Sequence, residues 1–170
     1  KLRWTNKQNA MRFEQISLEV KEKYGIAYSD IKGHISSLRA DNNRLSTQIT
    51  KSKKDLEELR SFVENCVAYK RYKIHSINEE KASDKEKYYE AHDSQLDAFH
   101  DAVFALERRN IDLDSITYEG IKIMQQKVTE AETEIKRQED IKRQNERDLK
   151  ELSDYQKEID LYFGRMNDEI

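Results

Sequence analysis

The sequence contains no proline and only four glycines among its 170 residues. At the average frequency of about 5%, roughly eight prolines would be expected in a chain of this length. Their absence excludes collagen-like and proline-linker structures and argues against a turn-rich β-sandwich. Long apolar runs are missing as well, and no stretch approaches the roughly 18 residues that indicate a transmembrane helix. We therefore expect a protein built of long helices that does not insert into a membrane.

Cysteine is equally scarce. The single Cys66 excludes a disulfide framework within the chain and favours a reducing compartment, so we expect a cytoplasmic protein. The sequence has no glycine-rich phosphate loop, nucleophile elbow or paired-cysteine metal spacing. We therefore predict no catalytic residues, no cofactor and no metal, and we expect that this chain is not itself an enzyme. Because it begins at Lys1 without an initiator methionine, we also expect a segment of a longer protein.

Charge is abundant, since 38% of the residues are charged against about 25% in an average protein. The net charge of −3 hides an uneven distribution. Residues 1–75 carry 16 Lys and Arg against 9 Asp and Glu, a net +7, whereas residues 76–170 carry 15 against 25, a net −10. The basic half is typical of a nucleic-acid-binding arm. The alternative is that the two halves pair with each other as antiparallel helices.

Start and stop signals predict four helices. Thr5 opens a capping box with Gln8, and Gly25 is placed to close the first helix. A second capping box begins at Ser83, and Gly164 predicts the end of the last helix. The predicted helices span about residues 5–24, 30–80, 84–109 and 115–163.

These helices predict an all-α fold, with residues 1–170 as a single elongated helical domain. We expect an antiparallel coiled coil or helical hairpin of two long and two shorter helices, because short connections and opposite half-charges permit it. A continuous rod from Ser29 to Arg109 stays open as an alternative, since no glycine or proline lies between Gly33 and Gly120.

A seven-residue repeat marks a coiled-coil seam on the second helix. Of eleven positions between Ile31 and Cys66, nine are apolar, and the exceptions are Asn42 and Ser52. Asn42 is expected to fix the register by pairing with a polar group opposite. The seam predicts either a monomeric hairpin or a homodimer. Its main positions are Ile31, Ile35, Leu38, Asn42, Leu45, Ile49, Leu56, Leu59 and Val63.

One segment interleaves aromatic and basic side chains and is our candidate contact for DNA or a partner protein. It consists of Tyr69, Lys70, Arg71, Tyr72 and Lys73. Proteins that bind single strands combine aromatic stacking platforms with phosphate contacts in this way. The alternative is that the tyrosines pack inside the protein while the lysine stems extend past them to solvent.

Asp93, Asp97 and His100 share one face of the third predicted helix and could act as metal ligands. Metal sites in helical bundles need a matching stripe on a second helix, and the sequence offers none. We therefore interpret this face as a solvated acidic surface. His92 falls in the apolar stripe of the same helix and is interpreted as a satisfied or rim-exposed side chain rather than a metal ligand. Cys66 is interpreted as a small core residue.

Several short segments occur in the order known from one protein family. In that order they resemble the helical region that follows the nuclease domain in relaxases of conjugative and mobilisable elements of Gram-positive bacteria. The segments are Trp4 after Arg3; Tyr24-Gly25-Ile26 with Tyr28-Ser29-Asp30-Ile31; Tyr69 and Tyr72; Lys85 with Lys87-Tyr88-Tyr89-Glu90-Ala91-His92; and Leu113-Asp114-Ser115-Ile116 with Tyr118-Glu119.

The resemblance implies that the parent protein nicks one DNA strand with an N-terminal catalytic domain. None of the catalytic residues of that domain corresponds to a position in this chain. The chain would then be a non-catalytic accessory domain that contacts transfer-origin DNA, the relaxosome or the secretion machinery. The alternative is a structural coiled-coil spacer or dimerisation segment of an unrelated protein.

Overall fold

The computed structural model describes the backbone of residues 2–168 and the side chains of residues 5–164. Every regular element in that range is helical, so the predicted all-α fold class is confirmed. Within the same range no helix is both long enough and apolar enough to cross a membrane. The side chain of Trp4, one of the residues that carry the family resemblance, lies outside the described side chains. The α-helices are α1 (Leu2–Tyr24), α2 (Ile31–Lys81), α3 (Lys85–Ala91), α4 (Asp93–Arg108) and α5 (Tyr118–Asp168).

The junction between α1 and α2 contains a left-handed glycine. Gly25 has φ +66° and donates its backbone N–H to the carbonyl of Lys21 at 3.0 Å, which closes α1 as predicted. A 3-10 turn, Tyr28–Asp30, then leads into α2. The predicted start of α1 at Thr5 is wrong, because the helix already begins at Leu2 and no proline or glycine interrupts it upstream of Thr5.

The break between α2 and α3 is real, so the continuous rod from Ser29 to Arg109 is excluded. α2 ends at Lys81, and Asp84 caps α3 by accepting the backbone N–H of Lys87 at 3.1 Å. The single helix predicted over 84–109 is also wrong. His92 adopts a non-helical conformation with φ −134° and ψ 29°, and it separates α3 from α4.

Both predicted ends of the last helix are corrected. A 3-10 turn, Leu113–Ser115, occupies the predicted start, and α5 begins at Tyr118 after Thr117, whose hydroxyl accepts the N–H of Gly120 at 3.0 Å. α5 then continues past Gly164 to Asp168. A glycine inside a helix costs only about 1 kcal/mol relative to alanine, so Gly164 alone does not end it.

The chain divides into two compact units, and α2 and α5 contribute residues to both. Unit 1 comprises residues 1–49 and 137–170. Its core joins α1, α2 and α5, and within it α2 and α5 run in opposite directions, since Asn42 contacts Asn145 and Lys32 contacts Asp160. The buried core residues are Ile16, Val20, Ile31, Ile35, Leu152 and Ile159.

Unit 2 comprises residues 50–136 and has a separate hydrophobic core. This core joins the second half of α2 to α4, to the connection before α5 and to the first turn of α5. Leu106 and Cys66 are fully buried in it. The buried members of the cluster are Cys66, Tyr69, Phe99, Ala102, Leu106, Ile116 and Ile121.

The basic and acidic halves of the chain form ion pairs with each other within each unit. Ion pairs between helices join a cation from the basic half of the chain to a carboxylate from the acidic half. Exposed pairs of this kind each stabilise a fold by about 0.2–1 kcal/mol, and together they favour one pairing of helices over others. Examples are Arg12–Glu158 at 2.8 Å, Lys23–Glu151 at 2.6 Å and Lys32–Asp160 at 4.0 Å in unit 1, and Arg60–Glu132 at 2.7 Å in unit 2.

Candidate nucleic-acid interface

The first residue of the candidate contact segment lies in the core of unit 2. Tyr69 is 4% exposed, and its ring stacks on Phe99 at a centroid distance of 5.6 Å and an interplanar angle of 20°. Tyr69 is placed three residues after Cys66, so it continues the buried face of α2. Because both ring faces are covered in a packed core, Tyr69 does not offer a stacking surface to a base, and the predicted contact there is corrected.

Tyr72 and Lys73 also belong to the packed side of α2. Tyr72 is half-buried against the unit 2 core, and its ring lies 6.4 Å from that of His75. Lys73 is half-buried, with its ammonium group 5.5 Å from the centroid of Tyr69. For these residues the structure matches the alternative interpretation, in which tyrosines pack and a lysine stem covers them.

Lys70 contacts an aromatic side chain that lies outside the predicted segment. Lys70 places its Nζ 5.4 Å from the ring centroid of Tyr118, the first residue of α5, and Tyr118 is 72% exposed. Arg71 is exposed beside it on α2. Tyr118 is not among the contact residues predicted from the sequence, although one signal points to it. Tyr118 stands outside the apolar stripe that begins at Ile121, so the periodicity leaves it no core position.

Two further residues extend this exposed region. Ile74, one turn after Lys70, is 54% exposed and lies between Lys70 and Arg71 around the helix. Lys122, one turn after Tyr118, is exposed on α5. We call Lys70, Arg71, Ile74, Tyr118 and Lys122 the basic aromatic surface. It combines an exposed ring, an exposed aliphatic side chain and three cations within one unit.

The seam positions of α2 lie on its buried face. Ile31, Ile35, Asn42, Ile49, Leu56 and Val63 are buried, and Leu38, Leu45 and Leu59 are half-buried. Asn42 is paired as expected, because Asn145 donates its side-chain amide to Oδ1 of Asn42 at 2.9 Å. The amide of Asn42 donates in turn to the backbone carbonyl of Lys142 at 3.4 Å. At this position the seam is therefore covered by α5 of the same chain.

A polar cluster attaches α1 to α5 in unit 1. Lys23 and Tyr24 both donate to Glu151, at 2.6 Å and 2.9 Å, and these bonds hold the pKa of the Glu151 carboxyl below its usual range. Burial, together with the bond to Glu151, raises the pKa of Tyr24. One turn along α5, Tyr155 donates to Glu19 at 2.7 Å, and chiefly this bond raises its pKa to about 12. The cluster consists of paired groups and is structural.

The acidic face of α4 does not assemble into a metal site. Asp93, Asp97 and His100 are exposed, and Asp97 accepts the hydroxyl of Tyr89 at 2.6 Å, a bond that raises the pKa of Tyr89. No group of three or more His, Cys, Asp or Glu side chains in the described part of the chain is arranged to hold a metal ion.

Cys66 is fully buried, and burial raises the pKa of its thiol.

The histidine at the α3–α4 junction is packed against other rings. The ring of His92 lies 4.4 Å from that of Tyr88 and 4.8 Å from that of His75. Nδ1 of His75 and the hydroxyl of Tyr88 are 3.3 Å apart. These three rings hold the junction against the end of α2, so His92 is packed against other rings at this junction.

Comparison with protein-family models, with curated proteins and with solved structures found no match. The segments that carry the resemblance to the relaxase helical region can still be placed in the fold. Three of them coincide with junctions between helices: the glycine turn after α1, the start of α3 with the break at His92, and the 3-10 turn before α5. These segments therefore determine where helices end and begin.

Proposed function

We propose that the chain is a non-catalytic helical accessory domain of a relaxase-like protein of conjugative DNA transfer. The observation that carries this proposal is the position of the resembling segments at helix junctions. Matches spread along continuous helices would carry little information, because amphipathic helices resemble one another. Matches at a left-handed glycine, at a capped helix start and at a 3-10 turn involve the residues that define one particular order of helices.

Side chains that could take part in catalysis are engaged in packing or hydrogen bonds, which supports an accessory role. Cys66 is enclosed in a core, Tyr24 and Tyr155 donate to carboxylates, and His75 and His92 pack against each other and against Tyr88. Each of these groups has a packing role in its unit. In this proposal, strand nicking belongs to a preceding domain of the parent protein, and the domain acts in the cytoplasm by contacting DNA or proteins of the transfer machinery.

The coding sequence immediately upstream of Lys1 is the first test. We expect it to encode a nuclease domain rich in histidine, and an unrelated domain there would reject the proposal. The second test compares the parent protein with a version lacking residues 1–170. Nicking of a plasmid that carries the transfer origin should persist, while transfer between cells should be lost. Loss of nicking by a folded deletion variant would instead place these residues in the catalytic machinery.

A second candidate function is a structural spacer, favoured by the 51-residue length of α2 and its seam. The dimeric form of this alternative is opposed by the Asn42–Asn145 pair, which occupies the seam within one chain. Sedimentation equilibrium separates the two arrangements. A species near 20.3 kDa is expected for intramolecular pairing, and a stable species of twice that mass would favour dimerisation through α2.

A further inference from the structure

We propose that the basic aromatic surface binds single-stranded nucleic acid, with one base stacked on Tyr118 and neighbouring phosphates held by Lys70, Arg71 and Lys122. The inference rests on the proposed function only for its biological setting. The surface itself is defined by residues of unit 2, and it can bind or fail to bind whatever the parent protein is.

The ring of Tyr118 is available and held in place. The Tyr118 side chain is 72% exposed, and Tyr118 is the first residue of α5. The residue before it, Thr117, accepts the N–H of Gly120 with its hydroxyl. The backbone of Tyr118 is therefore part of a capped helix start rather than a loose loop. The ammonium of Lys70, 5.4 Å from the ring centroid, also restricts the ring. An exposed ring on a rigid element meets a base with little loss of conformational entropy.

The charges of the cations on this surface are not neutralised by carboxylates in the described part of the fold. Arg12, Lys23 and Arg60 are neutralised by carboxylates of other helices. In contrast, Lys70, Arg71 and Lys122 form no ion pair among the described residues. The carboxylate nearest to Tyr118 in the sequence is the exposed Glu119, so the surface and this neighbour together carry three cations and one anion. This balance favours an anionic ligand.

A second aromatic–cation pair in the same unit shows why the choice falls on Tyr118. Phe104 is 64% exposed, and the guanidinium of Arg108 lies 5.7 Å from its ring centroid. Its helical neighbours on α4 include Asp101 and Glu107, which repel phosphate. Phe104 therefore offers a similar ring exposure beside two carboxylates and serves as a matched control.

The chemistry favours single strands over duplexes. Stacking requires an unpaired base whose flat face is accessible, whereas a duplex presents only its backbone and groove edges. Proteins that bind single strands combine such platforms with a basic track along the backbone. An acidic peptide would bind the cations but would gain no affinity from stacking on an aromatic ring. The loss of affinity on removing the Tyr118 ring therefore distinguishes a single strand from an acidic peptide.

The test is a fluorescence anisotropy titration with a labelled oligodeoxythymidine of about 15 nucleotides, at about 50 mM salt. Tyr118→Ala should weaken binding roughly tenfold, and Tyr118→Phe should keep it within about twofold, because the stacking face remains. Lys70→Gln should weaken binding and reduce the slope of affinity against salt by about one. Phe104→Ala should bind like the wild type, and circular dichroism of each variant should show an unchanged helical fold.

Three results would overturn the inference. These are no binding at low salt, equal binding of Tyr118→Ala and the wild type, and binding of a duplex as tight as that of the single strand. None of these results tests the proposed accessory function, which the transfer experiment with the parent protein tests separately. Loss of transfer without any binding of nucleic acid would point to a protein partner and would reject only this surface.

Discussion

Asn145 donates its side-chain amide to Oδ1 of Asn42 at 2.9 Å, inside a seam that is otherwise mostly apolar. Asn42 is 8% exposed, and its own amide donates to the backbone carbonyl of Lys142. A polar residue at a seam position lowers stability relative to leucine but specifies one register, because any other alignment leaves its amide without a partner. The pair therefore determines which residue of α5 lies opposite α2 in unit 1.

Replacing Asn145 with alanine should destabilise the protein by about 1–2 kcal/mol, because the buried oxygen of Asn42 loses its donor. Urea unfolding followed by circular dichroism measures this. Gln144→Ala is the control, since Gln144 is exposed and its hydrogen bonds, to Asp148 and from Arg147, join residues of α5 alone. A change within about 0.5 kcal/mol is expected for it. Equal effects of the two substitutions would show that the Asn pair does not specify the register.

Two glycines allow a matched test of the first helix junction. Gly25 has φ +66°, so Gly25→Ala should destabilise the protein by about 1–2 kcal/mol although no atom lies within 4 Å of the added methyl group. Gly33 lies in α2 with equally open surroundings and without a positive φ. Gly33→Ala should therefore stabilise the protein by up to about 1 kcal/mol. Thermal unfolding of both variants gives the comparison, and destabilisation by Gly33→Ala would contradict it.

Structural features that depend on one local rule could be predicted from the sequence. The heptad spacing located the buried face of α2, and the glycine after Tyr24 marked the end of α1. Helix boundaries could not be predicted where tertiary packing outweighs the local helix preference. Gly164 is a weak helix former, but it does not end α5, and His92 is an ordinary helical residue that ring packing holds outside the helix.

The candidate surface was only half predictable for a similar reason. Periodicity shows which side chains share a face of one helix, so it could identify Lys70 and Arg71 as neighbours. It cannot show which residue of another element faces them. Tyr118 meets Lys70 because α5 begins next to this part of α2, and Tyr69 is withdrawn because Phe99 covers it. Both facts depend on tertiary packing.

Cys66 provides a probe of unit 2. The thiol is fully buried, and burial raises its pKa, so the native protein should react very slowly with a disulfide reagent at pH 8. Addition of urea should accelerate the reaction as the core of unit 2 opens. Leu106→Ala, which empties a fully buried site, should destabilise this core by about 2–5 kcal/mol and expose the thiol at lower urea. Fast reaction of the native wild type would contradict the buried position.

Acid should weaken the contact between α1 and α5 in unit 1. The bonds from Lys23 and Tyr24 hold the pKa of Glu151 below the ordinary 4.5, so its stabilising contribution is complete above that value and is lost as the pH falls below it. Glu151→Gln should therefore lose less stability than the wild type between pH 6 and pH 3. Urea unfolding at several pH values measures the difference. Identical curves would show that Glu151 does not titrate differently in the folded chain.

Alkaline pH should weaken the same contact through the tyrosines. The bond to Glu19 raises the pKa of Tyr155 from 10 to about 12, so the folded state resists deprotonation more than the unfolded chain does. The stability that this tyrosine contributes is complete below pH 10 and disappears as the pH rises to about 12. Tyr155→Phe should flatten the fall in stability over that interval. An ultraviolet titration of tyrosinate should show that one late-titrating group of the wild type is missing from Tyr155→Phe, and identical titrations would contradict the raised pKa of Tyr155.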